Sequence, residues 1–170
     1  MLRATVPASV ANLGPGFDCL GLAVDLTNEI TVEPGTKPAV EIRGEGAGEL
    51  PRDASNLAVR AMSRLAREAG RSLPPFSLAC ENHIPVQRGL GSSAAAVVAG
   101  LLLADRLLQM NLDPEQLLEM AVDLEGHPDN VAACLGGGLT VAYRSQRGWR
   151  SERLRPHPSL TPVLFIPLDQ

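Results

Sequence analysis

Hydrophobic and polar residues alternate along the N-terminal part of the chain in the manner of β-strands. The alternation predicts a short strand over residues 2–7, strand segments around a turn within 20–33, and a strand over 39–43. Residues 75–82 have the same character and lead to a glycine-rich turn. This part of the chain is therefore expected to contribute most of the strands of a β-sheet.

Apolar residues at helical spacing predict three helices. The first covers residues 56–69, with Ser55 as its expected cap and Gly70 as its stop. The second extends from about residue 93 to 110 and is apolar through most of its length. The third, expected to end at Leu124, begins with a cap residue, a proline at the first helical position and a capping-box glutamine: Asp113, Pro114 and Gln116.

The last part of the chain predicts two more strands, over residues 139–143 and 162–167. Between them, residues 147–155 are basic and polar, without a regular pattern. An apolar strand at the end of the sequence needs a cover, which either a partner chain or the rest of a longer protein would supply. Strands and helices follow one another in mixed order without a βαβ repeat, so the expected fold class is α+β, a mixed sheet packed with helices.

The composition excludes several classes of function but says less about the fold. With 170 residues and 45% hydrophobic content, the chain can form one domain with a sizeable core. The net charge of −4 and the aromatic content of 3% argue against a nucleic-acid partner, which would need a basic surface or stacking platforms. The longest apolar run, residues 94–104, is too short to cross a bilayer, so no membrane partner is expected.

The cysteines and the N-terminus favour a cytoplasmic location. Cys19, Cys80 and Cys134 lack metal-ligand spacing and are interpreted as small core residues in a reducing compartment. The first residues contain no apolar signal core.

The most informative stretch is a glycine turn that leads into the second predicted helix. Its residues are Pro85, Val86, Gln87, Arg88, Gly89, Leu90, Gly91, Ser92, Ser93, Ala94 and Ala95. Gly89 and Gly91 let the backbone approach a ligand closely, and Ser92 and Ser93 bring hydroxyls and N–H groups to a helix N-terminus, which attracts phosphate. The stretch predicts a nucleotide phosphate site; the alternative is a glycine turn with an ordinary serine cap.

Two common phosphate motifs are excluded. A Walker loop requires a lysine before its serine, and Lys37 is the only lysine of the chain. The Gly-x-Gly-x-x-Gly pattern fails because Ala94 stands three positions after Gly91. Anion binding would therefore depend on the helix dipole, backbone amides, hydroxyls and a metal ion.

Two further polar clusters are candidates for substrate and metal binding. Residues 7–18 form a glycine-rich loop in which Asp18 can take an ammonium group and Asn12 can donate or accept a hydrogen bond; the alternative is loop capping. In residues 125–130, Glu125 can bind Mg²⁺, while His127 and Asp129 can orient a hydroxyl or accept its proton. The alternative for this second cluster is a polar turn that caps the next helix.

Taken together and in this order, the segments resemble the small-molecule kinase superfamily of galactokinase, homoserine kinase, mevalonate kinase and phosphomevalonate kinase. The resemblance lies in residues 7–18, 85–95 and 125–131 and extends over nearly the whole chain. It is greatest for the homoserine kinase family. It implies the fold of the superfamily's N-terminal domain, which is of the ribosomal protein S5 domain 2-like type.

The resemblance also implies a role for each motif. Residues 85–95 would surround the phosphates of ATP, Ser93 and Glu125 would bind Mg²⁺, and Asn56 would contact adenine. The homoserine pocket would be formed by Asn12, Asp18, His127, Asp129 and Asn130, with Asp18 near the ammonium group. The implied reaction is transfer of the γ-phosphoryl group of ATP to the side-chain hydroxyl of L-homoserine, a step toward threonine. Whether Asp129 acts as a base or only orients the hydroxyl is left open.

The resemblance leaves other functions open, and the sequence is shorter than those of the superfamily members. Other kinases of the superfamily, such as mevalonate kinase, or a catalytically inactive nucleotide-binding fragment are the competing interpretations. Superfamily members have a second, C-terminal domain with another glycine-rich motif and arginines that hold the substrate carboxylate. Residues 1–155 are accordingly expected to form the ATP-binding domain and residues 156–170 to begin a second domain. Members often form homodimers, so a homodimer is added to the expected partners.

Overall fold

A long antiparallel hairpin of two strands organises the molecule. Strand β1 covers Leu2–Leu13 and β2 covers Gly16–Pro34. Their register shifts between Pro7 and Ala8, which marks a bulge. The turn expected within residues 20–33 is therefore wrong: because β1 extends along the whole of this segment and pairs with it, the chain bends at the bulge and continues as a single strand.

Four more strands complete a six-stranded sheet in the computed structural model, which describes residues 1–35 and 37–166. They are β3 (Ala39–Gly44), β4 (Phe76–Asn82), β5 (Leu139–Ser145) and β6 (Gly148–Leu154). Their order is β3-β4-β2-β5-β6, with β1 paired to β2. Only β3 and β4 are parallel, so the sheet is mixed, and the expected α+β class is confirmed.

Strand β6 was not predicted, because its sequence is basic and polar. It forms because it pairs along its whole length with β5, from Leu139 opposite Leu154 to Ser145 opposite Gly148. Main-chain pairing at the edge of a sheet does not require apolar side chains, and charged side chains protect such an edge from further pairing.

Four helices are found in the described part of the chain. They are α1 (Leu57–Glu68), α2 (Ser92–Leu108), α3 (Pro114–Glu125) and α4 (Asp129–Gly136). The capping box of α3 is confirmed, with Asp113 and Gln116 each bonded to the other's backbone. The cap predicted for α1 is wrong: Asn56, not Ser55, accepts the bond from the backbone N–H of Ala58, because the Ser55 hydroxyl is bonded to Asp53.

Helix α2 lies at the centre of the core and contacts α1, α3, α4 and β1. Gly100 allows the close approach of α1, since a Cβ at this position would lie 2.4 Å from the carbonyl oxygen of Ala58. Helix α4 packs on the β1–β2 hairpin. These contacts place the N-termini of α1, α2 and α4 near the edge of the sheet where the strand β4 ends, and this convergence positions the site.

Residues 155–166 form neither helix nor strand. The strand predicted over 162–167 is therefore wrong for residues 162–166, while Pro167 lies outside the described residues. Within residues 1–35 and 37–166 no strand pairs with this segment, and Val163 and Phe165 are 88% and 89% exposed. The assignment of residues 156–170 to a second domain stays a prediction. Within the described residues, no helix has the length and apolar character needed to cross a membrane.

Candidate active site

The predicted motifs meet at a single cleft of about 530 Å³. Its walls come from the β1–β2 hairpin, β3 and β4, the loop before α1, and the starts of α1, α2 and α4. The candidate residues that line it are Asn12, Asn56, Pro85, Val86, Gln87, Arg88, Gly89, Leu90, Gly91, Ser92, Ser93, Glu125, His127 and Asn130. The candidates outside its lining are Asp18, Ala94, Ala95 and Asp129. The side chains of Ala94 and Ala95 are instead fully buried in the core.

The loop before α2 has the backbone geometry of an anion site. Gln87, Gly89 and Gly91 have positive φ angles of 59°, 69° and 67°, and the intervening residues do not. Alternation of this kind directs successive backbone N–H groups toward a common point, where an anion can bind. Helix α2 then begins without a side-chain cap, so no side chain competes with a ligand for its first N–H groups.

Ser9 holds this loop in place, although the sequence did not single it out within its motif. The residue is fully buried on β1. Its backbone N–H donates to the carbonyl oxygen of Leu90 (3.0 Å), and its hydroxyl donates to Oδ1 of Asn130 (2.9 Å). A Cβ at Gly91 would lie 2.2 Å from the Ser9 hydroxyl oxygen, so glycine is required there both by φ and by space. Ser9 thus joins the phosphate loop to α4.

Ser93 and Glu125 form the other wall of this part of the cleft. The Ser93 hydroxyl donates to Oε1 of Glu125, which joins the first turn of α2 to the last residue of α3. A hydroxyl and a carboxylate are oxygen ligands of the kind that Mg²⁺ prefers. Among the described residues there is no cluster of three or more His, Cys, Asp or Glu side chains that could hold a metal without help. The pair therefore fits an ion that takes its remaining ligands from phosphate and water.

The start of α4 carries a small hydrogen-bonded group around Asp129. This carboxylate is 1% exposed, accepts a bond from the backbone N–H of Asn130 (2.7 Å), and lies 3.1 Å from Nδ1 of His127. The His127 ring is about half exposed and faces the cleft. Asp129 does not line the cleft itself, but it orients His127 and Asn130, which do. Gly21 makes this placement possible, since a Cβ there would lie 2.2 Å from the carbonyl oxygen of Asp129.

Asn12 and Asp18 lie on either side of the β1–β2 turn, near the end of β1 and the start of β2, and Asn12 lines the cleft. The backbone N–H of Asp18 donates to Oδ1 of Asn12 (3.2 Å), and both residues have positive φ angles, 58° and 53°. The Asp18 side chain is exposed beside the cleft and has no ion pair within the described residues. The loop-capping interpretation is thus correct for Asn12, and the Asp18 carboxylate is available to a cation.

Comparison with known proteins agrees with this geometry. Residues 56–138 match the model of the GHMP kinases N terminal domain. Two curated homoserine kinases, from Clavibacter michiganensis and Leifsonia xyli, are 43% and 46% identical over 98% and 95% of this chain. The crystal structure of homoserine kinase from Cytophaga hutchinsonii superposes with a TM-score of 0.75 at 33% identity, over 90% of this chain and 51% of that one.

This chain contains a GHMP kinases N terminal domain over residues 56–138. It spans about half the length of the curated relatives it matches, 54% and 51% for the two named above. The resemblance predicted from the motifs and the predicted fold are both confirmed, because these matches extend over 90–98% of this chain.

The far end of the cleft of this GHMP kinase domain is mostly apolar, with three buried asparagines. Asn56 uses both ends of its amide within the protein: Oδ1 accepts from Ala58 N (3.0 Å), and Nδ2 donates to the Pro51 carbonyl oxygen (2.9 Å). Two further asparagines, Asn28 and Asn82, line the cleft and were missed, since each looks like an ordinary strand residue in the sequence. Their positions become evident only when the strands are paired.

The cysteines take no part in the polar chemistry of the site. All three are free thiols. Burial raises the pKa of Cys80, which lines the cleft, to about 11, and burial raises the pKa of Cys134 to about 12. Both thiols therefore remain protonated and unreactive near neutral pH, in agreement with their predicted role as core residues.

Proposed function

We propose that this chain is the N-terminal, ATP-binding part of a homoserine kinase, which transfers the γ-phosphoryl group of ATP to the side-chain hydroxyl of L-homoserine. The observation that carries the proposal is the convergence of three groups in one cleft: the backbone anion site before α2, the Ser93–Glu125 oxygen pair, and the polar start of α4. The curated relatives named homoserine kinase support the choice of substrate.

The phosphates would bind where backbone donors converge. The loop over Gln87–Gly91 and the uncapped N-terminus of α2 offer N–H groups and a partial positive charge without any lysine. Phosphoryl transfer depends mainly on alignment and on stabilisation of charge, which such fixed donors supply. Ser93 and Glu125 would hold Mg²⁺, which neutralises charge on the phosphate oxygens when it is bound.

The acceptor alcohol would lie at the start of α4. Asn130 is held there by Ser9 and by its own backbone bond to Asp129, so its side chain is pre-oriented toward the cleft. His127, fixed by Asp129, is the half-exposed group that can bond the substrate. Asp129 is buried beneath both residues and acts in this proposal by positioning them, not by removing the proton. Asp18 would take the ammonium group of homoserine, with Asn12 beside it.

Location and assembly belong to the same proposal. Three free thiols are typical of a protein from a reducing compartment, and we propose a cytoplasmic enzyme. A homodimer is proposed from the resemblance alone. The partners are then ATP and L-homoserine, with neither nucleic acid nor a membrane involved.

The direct test is homoserine-dependent ADP release by the purified chain with Mg²⁺-ATP, together with calorimetric measurement of Mg²⁺-ATP binding. We expect Glu125→Gln to weaken Mg²⁺-dependent ATP binding at least tenfold, roughly the loss of one charge-assisted contact. The matched control is Glu115→Gln, at the other end of α3, where the carboxylate pairs with Arg150 on the surface. This control should leave ATP binding unchanged.

Different outcomes contradict different parts of the proposal. A chain that binds no nucleotide contradicts the ATP site. ATP binding without turnover of any alcohol favours an inactive nucleotide-binding fragment, and turnover of mevalonate in place of homoserine favours another kinase of the superfamily. Asp18→Asn separates the substrates: it should raise the KM for homoserine at least tenfold and leave ATP binding unchanged, because it removes only the partner of the ammonium group.

A further inference from the structure

Asn28 and Asn82 form a pair at the apolar end of the cleft that the reaction described above does not use. The ladder between β2 and β4 ends with Glu29 opposite Glu81, and the same register extended by one residue places Asn28 opposite Asn82, on the face that carries Ile30 and Cys80. Opposite residues of antiparallel strands have Cβ atoms about 5 Å apart. Both asparagines line the cleft, yet they are only 2% and 7% exposed.

The orientation of the Asn28 amide is fixed by the protein. Its Oδ1 accepts bonds from the backbone N–H groups of His83 (2.7 Å) and Ile84 (2.9 Å). The amide is planar, so these two bonds also fix the direction of Nδ2. No group of the described residues accepts a bond from Nδ2, and this atom is not sealed from solvent, so it faces the cleft as an unpaired donor.

The Asn82 amide is fixed in the opposite sense. Its Nδ2 donates to the carbonyl oxygen of Glu45 (3.1 Å), which leaves Oδ1 without a partner among the described residues. The cleft therefore presents one fixed donor and one fixed acceptor side by side, next to buried apolar side chains. Both free atoms are open to solvent only through the cleft, so a ligand that enters it and displaces water can satisfy them with matching groups.

We propose that Asn28 and Asn82 determine the base specificity of the nucleotide site. The inference rests on the proposed function, because it places a nucleotide in this cleft. A flat ring that carries a donor next to an acceptor would satisfy the pair, and adenine has this arrangement: its amino group would donate to Asn82 Oδ1, and a ring nitrogen beside it would accept from Asn28 Nδ2. Asn56, whose amide is used within the protein, would then contact the base by packing.

Two charge-matched variants test the assignment. Asn28→Asp keeps an oxygen that accepts from His83 and Ile84 but replaces the free donor with a second acceptor, which repels a ring nitrogen. Asn82→Asp adds the same charge at the opposite position and keeps an acceptor for the amino group, but it also loses the bond to the Glu45 carbonyl oxygen. We expect Asn28→Asp to weaken ATP binding at least tenfold more than Asn82→Asp, as measured by calorimetry at equal Mg²⁺. Equal weakening by the two variants, with equal free energies of unfolding in urea, would overturn the proposal.

A measurement on the unaltered chain keeps the test independent of folding. Purine riboside triphosphate lacks the amino group, and 1-deaza-ATP and 7-deaza-ATP each lack one of the ring nitrogens beside it. We expect the first analogue, and one of the two deaza analogues, to bind about five- to tenfold more weakly than ATP, the net loss of one hydrogen bond. If all three bind as tightly as ATP, base recognition by the asparagines is wrong although the nucleotide site stands. If none binds and ATP does not bind either, both proposals are wrong.

Discussion

Helices α2 and α3 begin in opposite ways. Helix α3 starts with Asp113, Pro114 and Gln116, and its capping box satisfies the N–H groups of Asp113 and Gln116 on the protein surface. Helix α2 starts at Gly91 with a left-handed residue and no side-chain cap, and its first turn faces the cleft. A capped start stabilises a helix by itself, whereas an uncapped start exposes donors that a ligand can satisfy. The difference separates a structural helix start from a functional one.

The largest loss of stability and of ATP binding is expected at Gly91, where the uncapped start of α2 is packed most closely. Gly91→Ala places a Cβ 2.2 Å from the Ser9 hydroxyl oxygen and 3.0 Å from Asn130 Oδ1, at a φ of 67°. Overpacking and the left-handed conformation together should lower the free energy of unfolding by roughly 3 kcal/mol. ATP binding should weaken at least tenfold.

The matched control for that variant is Gly126→Ala at the C-terminal end of α3. Gly126 has a φ of 95°, but nothing lies within 4 Å of a Cβ there. Only the conformational cost of about 1 kcal/mol is expected, with no effect on ATP binding. Urea unfolding and calorimetry measure both quantities, and equal losses for the two variants would show that space around Gly91 is not the reason for its glycine.

An intermediate effect is expected for Ser9→Ala, which removes the bond between β1 and Asn130 but leaves the backbone bond to Leu90. An acceptor left without its partner should lower the free energy of unfolding by about 1–2 kcal/mol. If Ser9 positions Asn130, kcat for phosphoryl transfer should fall about tenfold while the Kd for ATP stays the same.

Steady-state kinetics and ATP binding, with Ser9→Thr as the conservative variant, check this role. Recovery of kcat by Ser9→Thr, which restores the hydroxyl, supports positioning. A loss of ATP affinity equal to the loss of kcat would instead mean that Ser9 acts only through the structure of the phosphate loop.

The smallest effect is expected for Asp113→Ala, at the capped helix start. Loss of the capping box should lower the free energy of unfolding by about 1 kcal/mol, and ATP binding should be unchanged. Thermal unfolding with and without Mg²⁺-ATP measures both. A change in ATP affinity would contradict the separation of structural and functional helix starts.

Prediction from sequence succeeded where the determining contacts are local. The capping box at Asp113, the glycine turn before α2 and the alternation in β3 and β4 were all evident within a few residues, and their elements were confirmed. Residues 85–93 and Glu125, His127 and Asn130 of the predicted motifs line one cleft, while their roles in binding and catalysis stay predictions.

Prediction failed where a distant partner decided the outcome. Strand β2 is continuous because β1 pairs along it, and β6 is a strand because β5 pairs with it. Residues 162–166 have an apolar pattern typical of a strand, but none of the described strands pairs with them. Asn56 caps α1 in place of Ser55, because the Ser55 hydroxyl is bonded to Asp53.

The amino-acid sequence alone determined the class of the fold, most of the elements and the identity of the three motifs, because these depend on short-range periodicity, capping and turn chemistry. Only the tertiary structure decided which polar side chains form hydrogen bonds within the protein and which remain available to a ligand. Ser9 and Asn130 are 121 positions apart, and the bonds of Asn28 come from residues 55 and 56 positions away. A hydrogen bond across such a separation exists only after the sheet and helices have packed, so its consequences for the site cannot be predicted from local pattern.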